Sequence, residues 1–323
     1  MIVESDIKSL KEEQVKLKDE SVESNNPYLP KLYTCAMFIG SKGSGKTYSL
    51  VSLLRHYEKS SILDKKGRKH TMRTILFCPT GNSDFNKIYT TLETLDQEKD
   101  IILEYSDEKL LEVLDNIKNE EEEIKEYYKY MKAYNKFKSN EKLKDKHLLI
   151  LDKHDFKDPF IDLKITKPKY TQYRVNFLIF DDLISHQSAF KKNSKICNLT
   201  IKCRHHHCSM LFTTQYPKAI PPVIRTNTDL WILFKFASKE RIIDQIYNEV
   251  SSILTIENFE ALYEYATKDS KHDALVLDNH NKVNKDLMFR RNWNTVLKFT
   301  QHHLLLLYHW MQHIFHHKML SFY

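Results

Sequence analysis

An α/β fold with a mostly parallel central sheet flanked by helices is what this sequence predicts, and three observations predict it. Short apolar runs, each long enough for one buried strand, recur along the chain. Segments with the helical spacing of apolar residues fill the intervals between them. Glycine is scarce, five residues in 323, and three of the five fall within six positions directly after the first apolar run.

Residues 1–32 read as a charged N-terminal arm. A helix-like stretch from Ile7 to Lys18 gives way to Asn25-Asn26-Pro27 and Pro30, which break any helix. Tyr33 to Ile39 is a short apolar run bounded by glycine, so a buried strand. Leu50, Leu53, Leu54 and Tyr57 then follow helical spacing. Met72 to Phe77 is a second strand, closed by the turn Cys78-Pro79-Thr80-Gly81, and Leu110, Val113, Leu114 and Ile117 mark another helix. Residues 118–172 change character. The acidic run Glu120 to Glu123 is followed by Tyr127, Tyr128, Tyr130 and Tyr134 among lysines, which reads as a solvated helix in a charged, peripheral insertion. Val175 to Phe180, Met210 to Thr214 and Leu230 to Phe236 are three more buried strands. Helices follow near Lys239–Val250 and Glu257–Ala266, with late strands at Ala274–Leu277 and Leu287–Phe289. The domain reading is an arm at 1–32, a core at 33–291 and a His-rich tail at 292–323.

Composition narrows the classes. Apolar residues make up 41% of the chain, too many for a disordered segment. No run approaches the roughly 18 apolar residues of a membrane span, and the opening MIVESDIKSLKEEQVK lacks the apolar stretch of a signal peptide. Five cysteines at irregular spacing argue against a disulfide framework and for a reducing, intracellular compartment. The net charge of +7 points to a polyanionic partner.

Gly40-Ser41-Lys42-Gly43-Ser44-Gly45-Lys46-Thr47 fits the phosphate-binding pattern G-x-x-x-x-G-K-[ST] in full. Phosphate oxygens need several convergent N–H donors, and glycines let the backbone wrap closely around them. The loop opens a helix whose N-terminal dipole favours anions. In this pattern Lys46 reaches the β- and γ-phosphates, and the Thr47 hydroxyl ligates Mg²⁺. ATP and Mg²⁺ are the expected cofactors.

The third strand ends in Asp181-Asp182. A strand-end carboxylate in such proteins holds Mg²⁺, and a second acid can polarise the attacking water. Asp181 is assigned to the metal and Asp182 to the water. The fourth strand ends in Thr213-Thr214-Gln215, which places Gln215 where it can report the γ-phosphate. From Leu183 to Thr228 there is no acidic residue, while Lys191, Lys192, Lys195, Lys202, Arg204, Lys218 and Arg225 all fall there. Such polarity suits a nucleic-acid or phosphate-facing surface. Cys197, Cys203, His205, His206, His207 and Cys208 cluster, but their spacing matches no regular zinc pattern.

These motifs occur in a telling order: the phosphate loop, FLIFDDL at 177–183, RHHHCSMLFTTQ at 204–215, IPPVIRTNTDLWILF at 220–234 and a late DLMFR at 286–290. Together they resemble the genome-packaging ATPases of large eukaryotic DNA viruses, the poxvirus type, with relatives in virophages and Polinton-like elements, all within the FtsK/HerA branch of P-loop motors. The resemblance covers roughly residues 33 to 291. It implies a RecA-like core, assembly as a ring (pentamer or hexamer) around double-stranded DNA, and capsid vertex or portal proteins as partners, with no membrane. It also implies an arginine acting across the subunit interface, for which Arg204 matches the Arg-His position and Arg225 is the second choice. Gln215 matches the family's polar sensor. The place of action would be a virus assembly site in the host cytoplasm, or the virion. Three other readings stay open: a nucleotide kinase, for which Arg55 alone makes no lid, a helicase, and a non-motor NTP-binding protein. The 118–172 insertion and the tail, with His309, His313 and His317 on one helical face, depart from the family pattern.

Overall fold

The computed structural model describes residues 22–78, 87–154, 167–183, 187–191, 194–236, 246–251, 254–279 and 287–299. In chain order the elements are β1 (Val22–Ser24), β2 (Cys35–Ile39), α1 (Lys46–Glu58), β3 (Ile62–Asp64), β4 (Lys69–Phe77), β5 (Ile101–Ile102), α2 (Asp107–Lys138) and α3 (Asp145–Lys153). They continue with β6 (Arg174–Asp181), α4 (Lys195–Lys202), β7 (Cys208–Thr214), α5 (Pro222–Thr226), β8 (Leu230–Phe234), α6 (Ile256–Thr267), β9 (Ala274–Asp278), β10 (Phe289–Arg291) and β11 (Thr295–Val296).

Strands order as β1-β3-β4-β6-β7-β2-β8-β9-β10-β11, with β5 beside β4. The middle of this sheet, β4-β6-β7-β2-β8, is parallel throughout. The outer pairs β1–β3, β3–β4, β8–β9, β9–β10 and β10–β11 are antiparallel. This is the α/β, mostly parallel architecture that the alternating apolar runs predict. Each central strand divides its side chains between two cores. Met37 and Ile39 of β2 face one cluster, Ala36 and Phe38 the other. β6 does the same, with Leu178 and Phe180 against Phe177 and Ile179. Both faces are covered, so the strands read as continuous apolar runs rather than alternating ones. Phe180 stacks on Phe77 at 5.1 Å and on Phe212 at 5.0 Å between ring centroids, which ties β4, β6 and β7 together. Each such pair adds about 0.5–1.5 kcal/mol beyond its area burial.

Three expectations are revised. The boundary expected at 118 falls inside α2, an unbroken helix of 32 residues capped by Ser106, whose side chain accepts from the Lys109 N–H. Its acidic run is not fully solvated: Glu120 pairs with Arg73 and with Arg174, and Glu121 with His207. Only beyond it do α2 and α3 close a separate small cluster around Tyr130, Ala133 and Leu151. At the other end, residues 292–299 belong to the sheet region rather than to a tail, because β10 turns at Asn292 (φ 53°) into β11. The arm likewise joins the sheet late, with Val22–Ser24 pairing β3 and the Tyr28 carbonyl accepting from Arg290. The remaining arm residues up to 21, the Pro79–Gly81 turn, most of the expected Lys239–Val250 helix and the His-rich tail from 300 lie outside the described residues. Cys197, Cys203 and Cys208 are buried in the main core as small apolar side chains.

Candidate active site

The loop after β2 sits at the C-terminal edge of the parallel strands. Gly40 is anchored by its N–H to the Thr214 carbonyl at 3.2 Å. A Cβ on Gly40 would come within 2.5 Å of Ser44 Oγ and 2.7 Å of Phe234 Cβ, so the tight loop needs glycine there. Gly45 caps α1 in the left-handed region, φ 97°, and its Cα also faces His272. Ser41, Lys42 and Gly43 are exposed, whereas Ser44 is buried with its hydroxyl unpartnered. Lys46 folds back over the loop and donates to the carbonyls of Gly40 (2.8 Å) and Ser41 (3.0 Å). Burial pulls its pKa down, and Asp182 and Asp181 nearby oppose that.

Asp181 ends β6 and is buried. Burial pushes its carboxyl pKa up, the hydroxyls of Thr213 and Tyr89 pull it down, and the charge of Asp182 adds to the rise. The Thr213 hydroxyl serves both acids, donating to Asp181 and accepting from the Asp182 N–H at 3.1 Å. Asp182 is left-handed, φ 48°. Such a backbone costs a non-glycine residue about 1–3 kcal/mol, least for a short polar side chain. It turns the second carboxylate away from the strand line, where the Gln215 amide donates to its Oδ2 at 3.2 Å. Strand β7 makes this meeting possible, because it lies between β6 and β2. In sequence the two acids lie 34 and 33 residues before Gln215; the sheet puts them side by side.

Lys46, Thr47, Asp181, Asp182, Thr213 and Gln215 line one open cleft of about 1120 Å³. Its far wall was not foreseen. His272, Asp273, Asn292, Trp293 and Asn294 come from the turns on either side of β9 and β10. Asp273 binds Arg291 (2.7 Å) and Asn292 (3.0 Å), which ties those two turns together. Trp293 donates to the Ser49 carbonyl and hydroxyl on α1, both at 3.0 Å. Of the chain's three tryptophans it is the one following a pair of arginines and an asparagine, but no local pattern marks it as part of a site.

The arginines are elsewhere. Arg204 is exposed and precedes β7, while Gln215 follows it. Seven strand residues at about 3.3 Å each put Arg204 roughly 20 Å from the cleft of its own chain. Arg225, on α5 before β8, is held by Glu249 at 2.8 Å and by the Ile220 carbonyl at 3.1 Å.

The residues fit a magnesium nucleotide. Thr47 and Asp181 offer the hard oxygen donors that magnesium takes. The Tyr89 hydroxyl is buried without a partner beside them, and the Ser44 hydroxyl is buried without one next to Gly40.

No family model matches the chain, and no curated protein matches it. Among solved structures it is similar to the genome-packaging NTPase B204 from Sulfolobus turreted icosahedral virus 2 in complex with ATP-gammaS. The identity is 12% and the TM-score 0.40, over 77% of this chain and 94% of that one. It is also similar to the pCW3 conjugation coupling protein TcpA with ATPgS (14%, TM-score 0.37, 80% and 63%). A third is EssC, ATPases 2 and 3, from Geobacillus thermodenitrificans (13%, TM-score 0.40, 76% and 37%). At these identities and TM-scores the likeness carries no argument about residues or activity.

Proposed function

We propose that this chain is a magnesium-dependent ATPase that drives double-stranded DNA into a viral-type capsid, working as a ring of copies. The observation that supports the ATPase reading is the Gln215–Asp182 hydrogen bond inside the phosphate-loop cleft, which joins an acid, its orienting amide and Lys46 in one place. Magnesium, held by Thr47 and Asp181, would supply charge neutralisation on the phosphate oxygens. Lys46 exchanges the carbonyls of Gly40 and Ser41 for the β- and γ-phosphate oxygens. Gln215 occupies Oδ2 of Asp182, which leaves Oδ1 to accept the proton of the attacking water. The same amide couples loss of the γ-phosphate to the end of β7.

DNA handling rests on the sequence order of the motifs and on charge. The acid-free segment 183–228 exposes Lys195, Lys202, Arg204 and Lys218. Such groups bind phosphates without reading bases, as a translocating motor requires. Arg204, remote from its own cleft, is the residue we assign to a neighbour's cleft in the ring, with capsid vertex or portal proteins as the further partners.

The test is steady-state ATP hydrolysis with and without long double-stranded DNA, with Lys46→Ala as the blank. Strong stimulation that falls with added salt supports the motor. Hydrolysis indifferent to DNA removes it. Arg204→Ala is expected to lose turnover only when assembled, and mixing it with Lys46→Ala should restore part of it.

A further inference from the structure

Tyr89 is fully buried, yet its hydroxyl has no hydrogen-bond partner. It lies beside the Thr47 hydroxyl and the Asp181 carboxylate, near enough to act on both but outside hydrogen-bond geometry to either. Its ring is fixed in the core cluster that contains Leu50, Leu54, Ile179 and Cys78, so the hydroxyl cannot swing out to water. Asp181 meanwhile is turned to Thr213.

We propose that Tyr89 is a positioning residue for the metal end of the nucleotide site, its hydroxyl donating to Asp181 once that carboxylate and Thr47 turn toward a magnesium ion. This rests on the nucleotide reading above. A buried hydroxyl without a partner destabilises the free protein, and the same hydroxyl becomes favourable when the loaded site gives it an acceptor. Its contribution therefore changes sign between the two states. A hydroxyl serving only the core would act equally in both. Groups that orient metal ligands in this way are worth about 10- to 100-fold in metal affinity.

The experiment compares the full wild-type chain with Tyr89→Phe. It measures thermal unfolding of the free protein, binding of N-methylanthraniloyl-ADP in magnesium chloride and in EDTA, and Mn²⁺ binding by electron paramagnetic resonance. The free variant should unfold at the same or a higher temperature. Nucleotide binding should weaken about tenfold with magnesium and not at all in EDTA, and Mn²⁺ affinity should fall in step. Equal affinities with magnesium, equal losses with and without it, or a variant that unfolds earlier or fails to fold would each overturn the assignment. If wild-type binding itself ignores magnesium, the metal-nucleotide reading fails, and the role of Tyr89 falls with it.

Discussion

The two ends of the parallel sheet treat charge in opposite ways. At the N-terminal end, Arg73 is shared between Asp100 (2.6 Å) and Glu120, Glu120 also takes Arg174, and Glu121 takes His207 and Lys125. Those charges neutralise one another and fasten α2 to β4, β6 and the turn before β7. At the C-terminal end, the Lys46 ammonium meets loop carbonyls and the two aspartates meet a hydroxyl and an amide. All three residues line the same open cleft. One end is satisfied by its own fold. The other is organised by hydrogen bonds from charged side chains to neutral groups, which orient those side chains without pairing them with an opposite charge and so leave the site able to meet a charged ligand.

If that contrast is right, substitutions at the two ends separate activity from stability. Lys46→Ala should give the largest change, taking ATP turnover to background while leaving the unfolding transition in place. A chain with normal turnover would remove Lys46 from the site. Asp182→Asn should follow, with nucleotide still bound and hydrolysis down about 10²- to 10⁴-fold, the usual range for a lost general base. Normal hydrolysis by that variant would show that the proton goes elsewhere. At the satisfied end, Arg73→Ala strands the buried Asp100, while Glu120 keeps Arg174. It should cost about 3 kcal/mol in urea unfolding, at the low end for a broken buried pair, with nucleotide affinity unchanged.

Acid should probe the same end most gently. Burial pushes Glu121 up, but its hydrogen bonds to His207 and Lys125 outweigh that and bring its pKa down to about 2. A carboxylate depressed in the folded state contributes stability that is complete above its unfolded pKa and is lost as pH falls through the folded one. The contribution of Glu121 should therefore fade between about pH 4.5 and about 2. Glu121→Gln should flatten the acid limb of the stability profile over that window. An unchanged limb would mean that the pair adds nothing.

The legible part of the molecule was the part written in local pattern. Lys46–Thr47 and Asp181-Asp182 could be named because a loop or a strand end places them through neighbours in sequence, and β2, β6, β7 and β8 announce themselves as apolar runs buried on both faces. The helix at 107–138 was harder. Its second half is charged because it leaves the sheet, and composition alone made a continuous helix look like an inserted segment.

The sequence by itself determined that a loop of the phosphate-binding pattern follows a buried strand, that two acids end another strand, and that a glutamine ends a third. Only the tertiary structure decided that β7 lies between the other two, so that Gln215 reaches Asp182. It alone brought Tyr89 beneath Thr47 and Asp181, put Trp293 against α1, and sent Arg204 to the far edge. The physical reason is range. Glycine spacing and apolar period act over a few residues, whereas strand order is set by which faces bury one another across the whole chain.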